Sequence, residues 1–421
     1  MTAERIEPHV TCLGCGCACD DVDLTIRQGR IVDTGRACGL GAAWFGDGST
    51  TAGALIDGRA ASLDAALASA AELLRQARHP LVYLAPGLSC EAQRLACALA
   101  DLCRGALDNV SSSTVFHSVL ASQEIGRATA TLGEVRNRAD TVVLWDVDAA
   151  RYPRLAERYA IDPIGLDIPD GRRGRRVISV TARAAAWPDA DQHVPLTRAD
   201  EVPTLEVVAA LLNGVTSPTG AGQVWAVASA LADVLLQGRY VAVLADAEPL
   251  AAGAGPLEAP GRAAALWRLS HALNHRTRGA VIALRAGGNR TGAESVMTSQ
   301  AGYPMAVDFA GGAPRYRPFN GAAAAHLDAA GVDAVLVAGD ARALDTELLA
   351  RIGAVPSGVV GPAASDGPLA KSRVAIDTAR AGVHEAGTAL RLDDVPLPLR
   401  SVLNGPPGAS DLLAQLTALI K

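Results

Sequence analysis

Five of the eight cysteines crowd into residues 12–38. Cys12, Cys15 and Cys19 stand two and three residues apart, and Cys38 follows after eighteen more. Three thiolates from one loop and a fourth from farther along are the ligand pattern of a [4Fe–4S] cube. Zinc is the competing metal, but zinc modules more often pair two short Cys-x2-Cys units into a tetrahedron, so the spacing favours the cluster. Cys17 is an alternative to Cys19, because sequence alone does not fix which of the two points inward. Such crowding suits a metal site in a reducing compartment better than a dispersed disulfide framework. Cys90, Cys97 and Cys103 lie in an apolar helical stretch and read as small buried hydrophobes.

A second segment draws attention for its charge. Gly171-Arg172-Arg173-Gly174-Arg175-Arg176 places four guanidinium groups in six residues, and each can grip a carboxylate in a forked pair. The simpler reading is a solvated loop whose ion pairs contribute roughly 0–1 kcal/mol each. The glycine-rich stretch 250–256 can approach a phosphate, but an ordinary strand–helix connection explains it as well.

The elements that would position these residues follow from apolar periodicity. Strand-like 22–26 and 30–33 flank Gln28-Gly29, so a β-hairpin returns Cys38 toward the first cysteines. From Ser62 onward, helices near 62–77 and 90–103 alternate with short apolar strands at 81–85, 141–145, 176–180, 240–244, 280–284 and 334–338. That alternation predicts an α/β protein whose parallel sheets are covered on both faces, with more than one doubly wound unit. The Gly/Thr/Ser/Pro-rich stretch 213–222 is the best boundary between units, and 358–368 precedes an irregular end. The expected organisation is a cysteine-rich β module at 1–60, α/β units at 61–214 and 215–357, and an irregular portion at 358–421 that returns to the first unit.

Composition excludes several functions. The 421 residues carry a formal net charge of −6, whereas generic nucleic-acid binding needs a positive surplus. No stretch approaches the ~20 apolar residues that span a bilayer, and the N-terminus lacks a signal peptide's apolar run, so a cytoplasmic protein is expected. Only Lys371 and Lys421 are lysines; almost all basic charge is arginine.

Several segments resemble one family. Residues 12–38, 107–112, 131–140, 291–297, 302–309 and 385–397 are similar to the B subunit of formylmethanofuran dehydrogenase, a relative of the molybdopterin formate dehydrogenases. The resemblance covers nearly the whole chain. It implies a formate dehydrogenase/DMSO reductase-like fold, a tungsten or molybdenum bis-pterin beside a [4Fe–4S] cluster held by Cys12, Cys15, Cys19 and Cys38, and interconversion of carbon dioxide and formate.

One departure redirects that expectation. After the Ser-Ser run the redox-active members carry Cys-His-Gly, the cysteine binding the metal and the histidine moving the proton; here stand Thr114, Val115 and Phe116. Threonine supplies no thiolate and valine no proton carrier, and a phenylalanine fills space beside the metal position. His117, displaced along the chain, is a poor replacement. Residues 360–421 also show too few alternating strands for the β-barrel that houses a second pterin. No tungsten or molybdenum pterin is therefore expected, and without one the cysteine set can be structural, empty or disulfide-bonded.

This dismantled pattern resembles the B-type component of the formyltransferase/hydrolase complex of methylotrophic bacteria. There a formyl group passes from tetrahydromethanopterin to methylofuran and leaves as formate during formaldehyde oxidation. The resemblance implies partners of A, C and D type and a scaffold role for this chain. Because methylofuran-type cofactors carry a polyglutamate arm, Arg172, Arg173, Arg175 and Arg176 become candidates for binding it. An active tungsten or molybdenum subunit is the rival reading, and a stand-alone binding module a second.

Overall fold

Ser62 and Ser89 start two helices in the same way. Each side-chain oxygen accepts the backbone N–H three residues on, from Ala65 and Ala92, at 3.2 Å, which satisfies one of the donors a helix start leaves unpaired. The helices Leu63–Gln76 and Cys90–Leu102 then turn Ala66, Leu67, Ala70 and Leu74, and Ala92, Ala96, Cys97 and Leu99, into one core. Cys90 and Cys97 are buried there as small hydrophobes, and Cys103 packs at the margin.

The structure, a computed structural model, describes residues 4–182, 187–247 and 258–421. The glycine-rich stretch 250–256 lies outside the described residues. Two compact units are formed, one from Met1–Ser113 with Ala286–Lys421, the other from Thr114–Arg285.

In the first unit those helices cover a nine-stranded sheet. Its order is Arg315–Tyr316, Val307–Asp308, Ala106–Asn109, Pro80–Leu84, Ala334–Ala338, Ser357–Gly361, Val374–Asp377, Ala54–Ile56 and Arg59–Ala60. The five strands from Ala106–Asn109 to Val374–Asp377 run parallel and are buried throughout, as a sheet covered on both faces requires. Antiparallel strands close both edges. The N-terminal residues add a three-stranded antiparallel sheet, Arg5–Val10, Val22–Arg27 and Arg30–Gly35. Gln28 and Gly29 both take positive φ, 52° and 74°, which gives the two-residue turn the strand twist that it needs. Helix Gly39–Phe45 follows directly after Cys38.

The second unit is built on five parallel strands, ordered Gln192–Val194, Arg176–Val180, Thr141–Trp145, Tyr240–Asp246 and Arg278–Leu284. Helices Arg198–Leu212, Gln223–Leu235 and Glu258–Asn274 share its core.

Strand pairing crosses the boundary expected at 214/215. Val335 lies opposite Leu81 and Val241 opposite Thr141, so both expected α/β stretches supply strands to both sheets. Alternating strands and helices reveal a parallel sheet but not which sheet receives each strand, because crossovers can bridge any distance along the chain. The 358–421 portion is also more regular than expected. It contributes strand Val374–Asp377, the hairpin Gly387–Leu390 with Pro396–Leu399, and helix Ala409–Ile420. Among the described residues no helix is long and apolar enough to cross a membrane.

Candidate functional site

The cysteine loop folds back on itself. The Cys12 N–H donates to the Cys19 carbonyl at 2.8 Å and the Ala18 N–H to the Cys15 carbonyl at 3.2 Å. The Gly14 N–H points at Cys12 Sγ, 3.3 Å away. Helix Gly39–Phe45 brings Cys38 alongside: a β-carbon added to Gly41 would lie 3.2 Å from Cys12 Sγ and 3.9 Å from Cys38 Sγ, so glycine leaves the space that the two sulfurs border. Two further segments grip the loop. The Gly288 N–H donates to the Leu13 carbonyl at 2.9 Å, and the Leu392 N–H to that of Gly16 at 3.1 Å.

Two of the five thiols are shifted by their surroundings. Burial, and then the proximity of Cys15, Cys19 and Cys38, push the Cys12 thiol far above the ordinary range. Cys17 is raised first by its hydrogen bond with Cys15 and then by burial, while Arg391 opposes the shift. Arg391 is itself held by Asp393 at 2.6 and 2.8 Å. Cys12 thus feels the charges of Cys15, Cys19 and Cys38, and Cys17 those of Cys15 and Cys19. None of the five is in a disulfide. The donor chemistry fits an iron–sulfur cluster, although among the described residues no three metal-ligating side chains converge on one point.

Asp108, Asn109 and Ser111 form a buried polar junction ahead of the Thr114-Val115-Phe116 segment. The Asp108 carboxylate accepts the Ala306 N–H at 3.0 Å, the Ala323 N–H at 2.7 Å and the Ser112 hydroxyl at 2.7 Å. Asn109 donates its amide to the Pro304 carbonyl at 2.8 Å and accepts the Ser111 N–H at 2.8 Å. The Ser111 hydroxyl donates to Glu294. Segments 107–112, 291–297 and 302–309 are thereby tied together.

Within the second unit, Val115 is 3% exposed and sits at the start of helix Phe116–Ile125. The His117 ring packs edge-on against Phe116, centroids 5.0 Å apart, and burial lowers its pKa. Such an imidazole is engaged with an apolar ring and disfavours the charged form.

The four arginines separate as well. Arg175 is buried, donating to the carbonyls of Ile161 at 2.9 Å, Pro163 at 2.5 Å and Arg136 at 2.5 Å. Arg172 pairs with Asp191 at 2.8 Å and bonds the carbonyls of Asp189 and Arg175. Arg176 reaches Gln237 at 2.7 Å. Of the expected carboxylate-binding set, Arg173 alone is both exposed and uncommitted among the described residues.

No protein-family model matches the chain. It is similar along its length to two relatives, each named as the B subunit of tungsten-containing formylmethanofuran dehydrogenase 2. One, from Methanocaldococcus jannaschii, is 29% identical over 434 residues, covering 99% of this chain and 98% of the relative. The other, from Methanococcus maripaludis, is 27% identical over 429 residues, covering 98% of each. Over nearly its full length the chain is similar to formylmethanofuran dehydrogenase B subunits. Among solved structures its fold matches a chain of the formyltransferase/hydrolase complex FhcABCD from Methylorubrum extorquens, determined in complex with methylofuran. The TM-score is 0.72 at 21% identity, covering 87% of this chain and 98% of that one.

The segments that carry this similarity include buried structural ties, among them Asp108, Asn109 and Glu294. Asp108, Asn109, Glu294 and Glu385 were not singled out from sequence. The signal for the first two was present, because Asp108-Asn109 closes an apolar strand with two polar side chains that must find partners once buried.

Proposed function

We propose that this chain is the redox-silent B-type component of a formyltransferase/hydrolase complex, in which partners of A, C and D type move a formyl group from tetrahydromethanopterin through methylofuran to formate. This chain acts as the scaffold that joins them. The observation that carries the reading is Thr114-Val115-Phe116 in place of Cys-His-Gly. A serine or aspartate in place of the cysteine is chemically plausible at molybdenum, but Thr114 followed by Val115 and Phe116 is much less so. Val115 is an aliphatic side chain with no proton to move, and Phe116 turns its ring onto His117. These residues do not fit a pterin-bound metal, and no step of the proposed function runs through one. A DMSO reductase-like arrangement belongs to the same reading, supported by parallel sheets in both units.

The cysteine set is part of the proposal. Cys12, Cys15, Cys19 and Cys38 are the residues that would hold a [4Fe–4S] cluster, which supplies one-electron transfer when bound; Cys17 would stand outside it, bonded to Cys15. Support comes from the neighbours of Cys12 and from the glycine at position 41.

One observation favours a second reading, an active tungsten or molybdenum subunit. Both relatives are named as tungsten-containing, and each shares more sequence with this chain than the structural neighbour does. Elemental analysis of the anaerobically purified complex separates the two. The scaffold reading expects neither metal above trace, and one equivalent of either per chain would establish the rival.

A further inference from the structure

The hairpin Gly387–Leu390 with Pro396–Leu399 forms a two-stranded sheet of its own in the first unit. Two strands alone are marginally stable in water, so whatever packs against them decides their order. The cysteine loop is one such support. Leu13 and Ala18 of that loop share a small core with Ala389, Leu397 and Leu399 of the hairpin and with Ala381. Two bonds reinforce the packing: the Leu392 N–H donates to the Gly16 carbonyl at 3.1 Å, and the Thr11 hydroxyl to the Pro398 carbonyl at 2.8 Å.

The residues just ahead of helix Arg290–Ala301 touch both partners. A β-carbon on Gly287 would come within 2.2 Å of the Leu13 carbonyl oxygen and 2.8 Å of the Cys15 nitrogen, so this backbone lies directly on the cysteine loop. The Gly288 N–H donates to the Leu13 carbonyl at 2.9 Å. Asn289, buried and left-handed at φ 58°, takes hold of the hairpin instead, its side-chain oxygen accepting the Leu390 N–H at 2.8 Å. Glu91 anchors the hairpin to helix Cys90–Leu102 by accepting the Thr388 N–H at 2.8 Å and the Thr388 hydroxyl at 2.9 Å.

We propose that the hairpin 387–399 is a metal-dependent latch, ordered when Cys12, Cys15, Cys19 and Cys38 hold a cluster and loosened when they do not. The inference rests on the cluster reading above and says what occupancy changes in the chain. Leu13 lies between Cys12 and Cys15, and Gly16 between Cys15 and Cys19. Fixing those cysteines therefore fixes the two carbonyls to which Gly288 and Leu392 are bonded. Where ligands sit on a loop, the free energy of metal binding is spent on folding what the loop supports. Such coupling is reciprocal: if iron steadies the hairpin, loosening the hairpin weakens the hold on iron.

The test uses the full chain reconstituted anaerobically with ferrous iron and sulfide, and the same chain after chelation. Amide hydrogen exchange is followed in 387–399 and, as a control, in strand Tyr240–Asp246 of the other unit. Chelation is expected to speed exchange in 387–399 at least about tenfold and to leave the control strand unchanged. Two variants loosen the hairpin from different sides: Glu91→Ala removes its anchor on the helix, and Leu397→Ala thins the shared core. Each variant that speeds exchange in 387–399 is expected to lose iron at a chelator concentration at which the wild type keeps it. Wild-type iron uptake with the same exchange in 387–399 before and after chelation overturns the latch and leaves the cluster reading standing. A wild-type chain that takes up no iron overturns both. A variant that speeds exchange in 387–399 yet keeps its iron breaks the reciprocity and likewise overturns the latch.

Discussion

Glu385 holds Ser410 by two bonds: its Oε1 accepts the Ser410 N–H at 3.1 Å and the Ser410 hydroxyl at 2.6 Å. Its other oxygen accepts the Ala409 N–H at 3.2 Å. Helix Ala409–Ile420 begins at Gly408, which has no side chain to cap it, so a distant carboxylate does the capping. Glu385→Ala is expected to lower the unfolding free energy by about 1–2 kcal/mol, the usual range for a lost N-cap, and Glu385→Gln by less. Urea denaturation checks both, and equal losses for the two variants would count against capping as the cause.

Asp108 sets a pH dependence. Burial pushes its carboxyl up to about 6, against the hydrogen bonds from Ser112, Ala323, Asn109 and Ala306 that pull it down. The folded chain therefore keeps this proton at pH values where the unfolded chain has lost it. The resulting stability is complete below the unfolded value and is lost as pH rises through about 6. Measured as wild type minus Asp108→Asn, the stability difference is expected to shift toward the wild type by about 1 kcal/mol between pH 7 and pH 5. A difference that stays flat across this interval would contradict the assignment.

Iron binding distinguishes the thiols. Anaerobic reconstitution with ferrous iron and sulfide is expected to give close to four irons per chain in the wild type and in Cys17→Ser. Cys12→Ser and Cys38→Ser are expected to lose most of it. Retention by Cys38→Ser together with loss in Cys17→Ser would reverse the assignment of Cys17 to the outside of the set.

Restoring three residues is not expected to restore redox chemistry. The variant Thr114→Cys, Val115→His, Phe116→Gly should still assemble with its partners and show no formate-dependent viologen reduction in a host that makes the metal pterin, because ligands function only when surrounding groups hold them in place. Dye reduction by this variant and not by the parent would mean that the site lacked ligands alone.

The sequence made the mixed α/β class legible, since apolar strands such as 334–338 and amphipathic helices such as 63–76 declare their own periodicity. The hairpin at 22–35 was legible too, through Gln28-Gly29. Sheet membership was not, because Leu81 and Val335 meet across a separation that local pattern does not encode. At the candidate sites, the types and spacing of the cysteines were readable. The separation of Arg175, clasped by three carbonyls, from the exposed Arg173 was not, since adjacent arginines look alike until burial divides them.

The way the chain leaves its first unit after Ser113 and rejoins it at Ala286 sets the order in which the strands of the nine-stranded sheet are made. Strand Pro80–Leu84 emerges from the ribosome early, yet its neighbour Ala334–Ala338 is translated only after the entire second unit. The continuous 114–285 stretch can complete its fold while the N-terminal strands still wait with open edges. Such edges invite aggregation, so the nascent N-terminal third is where a chaperone would be needed, and slow translation through 114–285 would prolong the hazard.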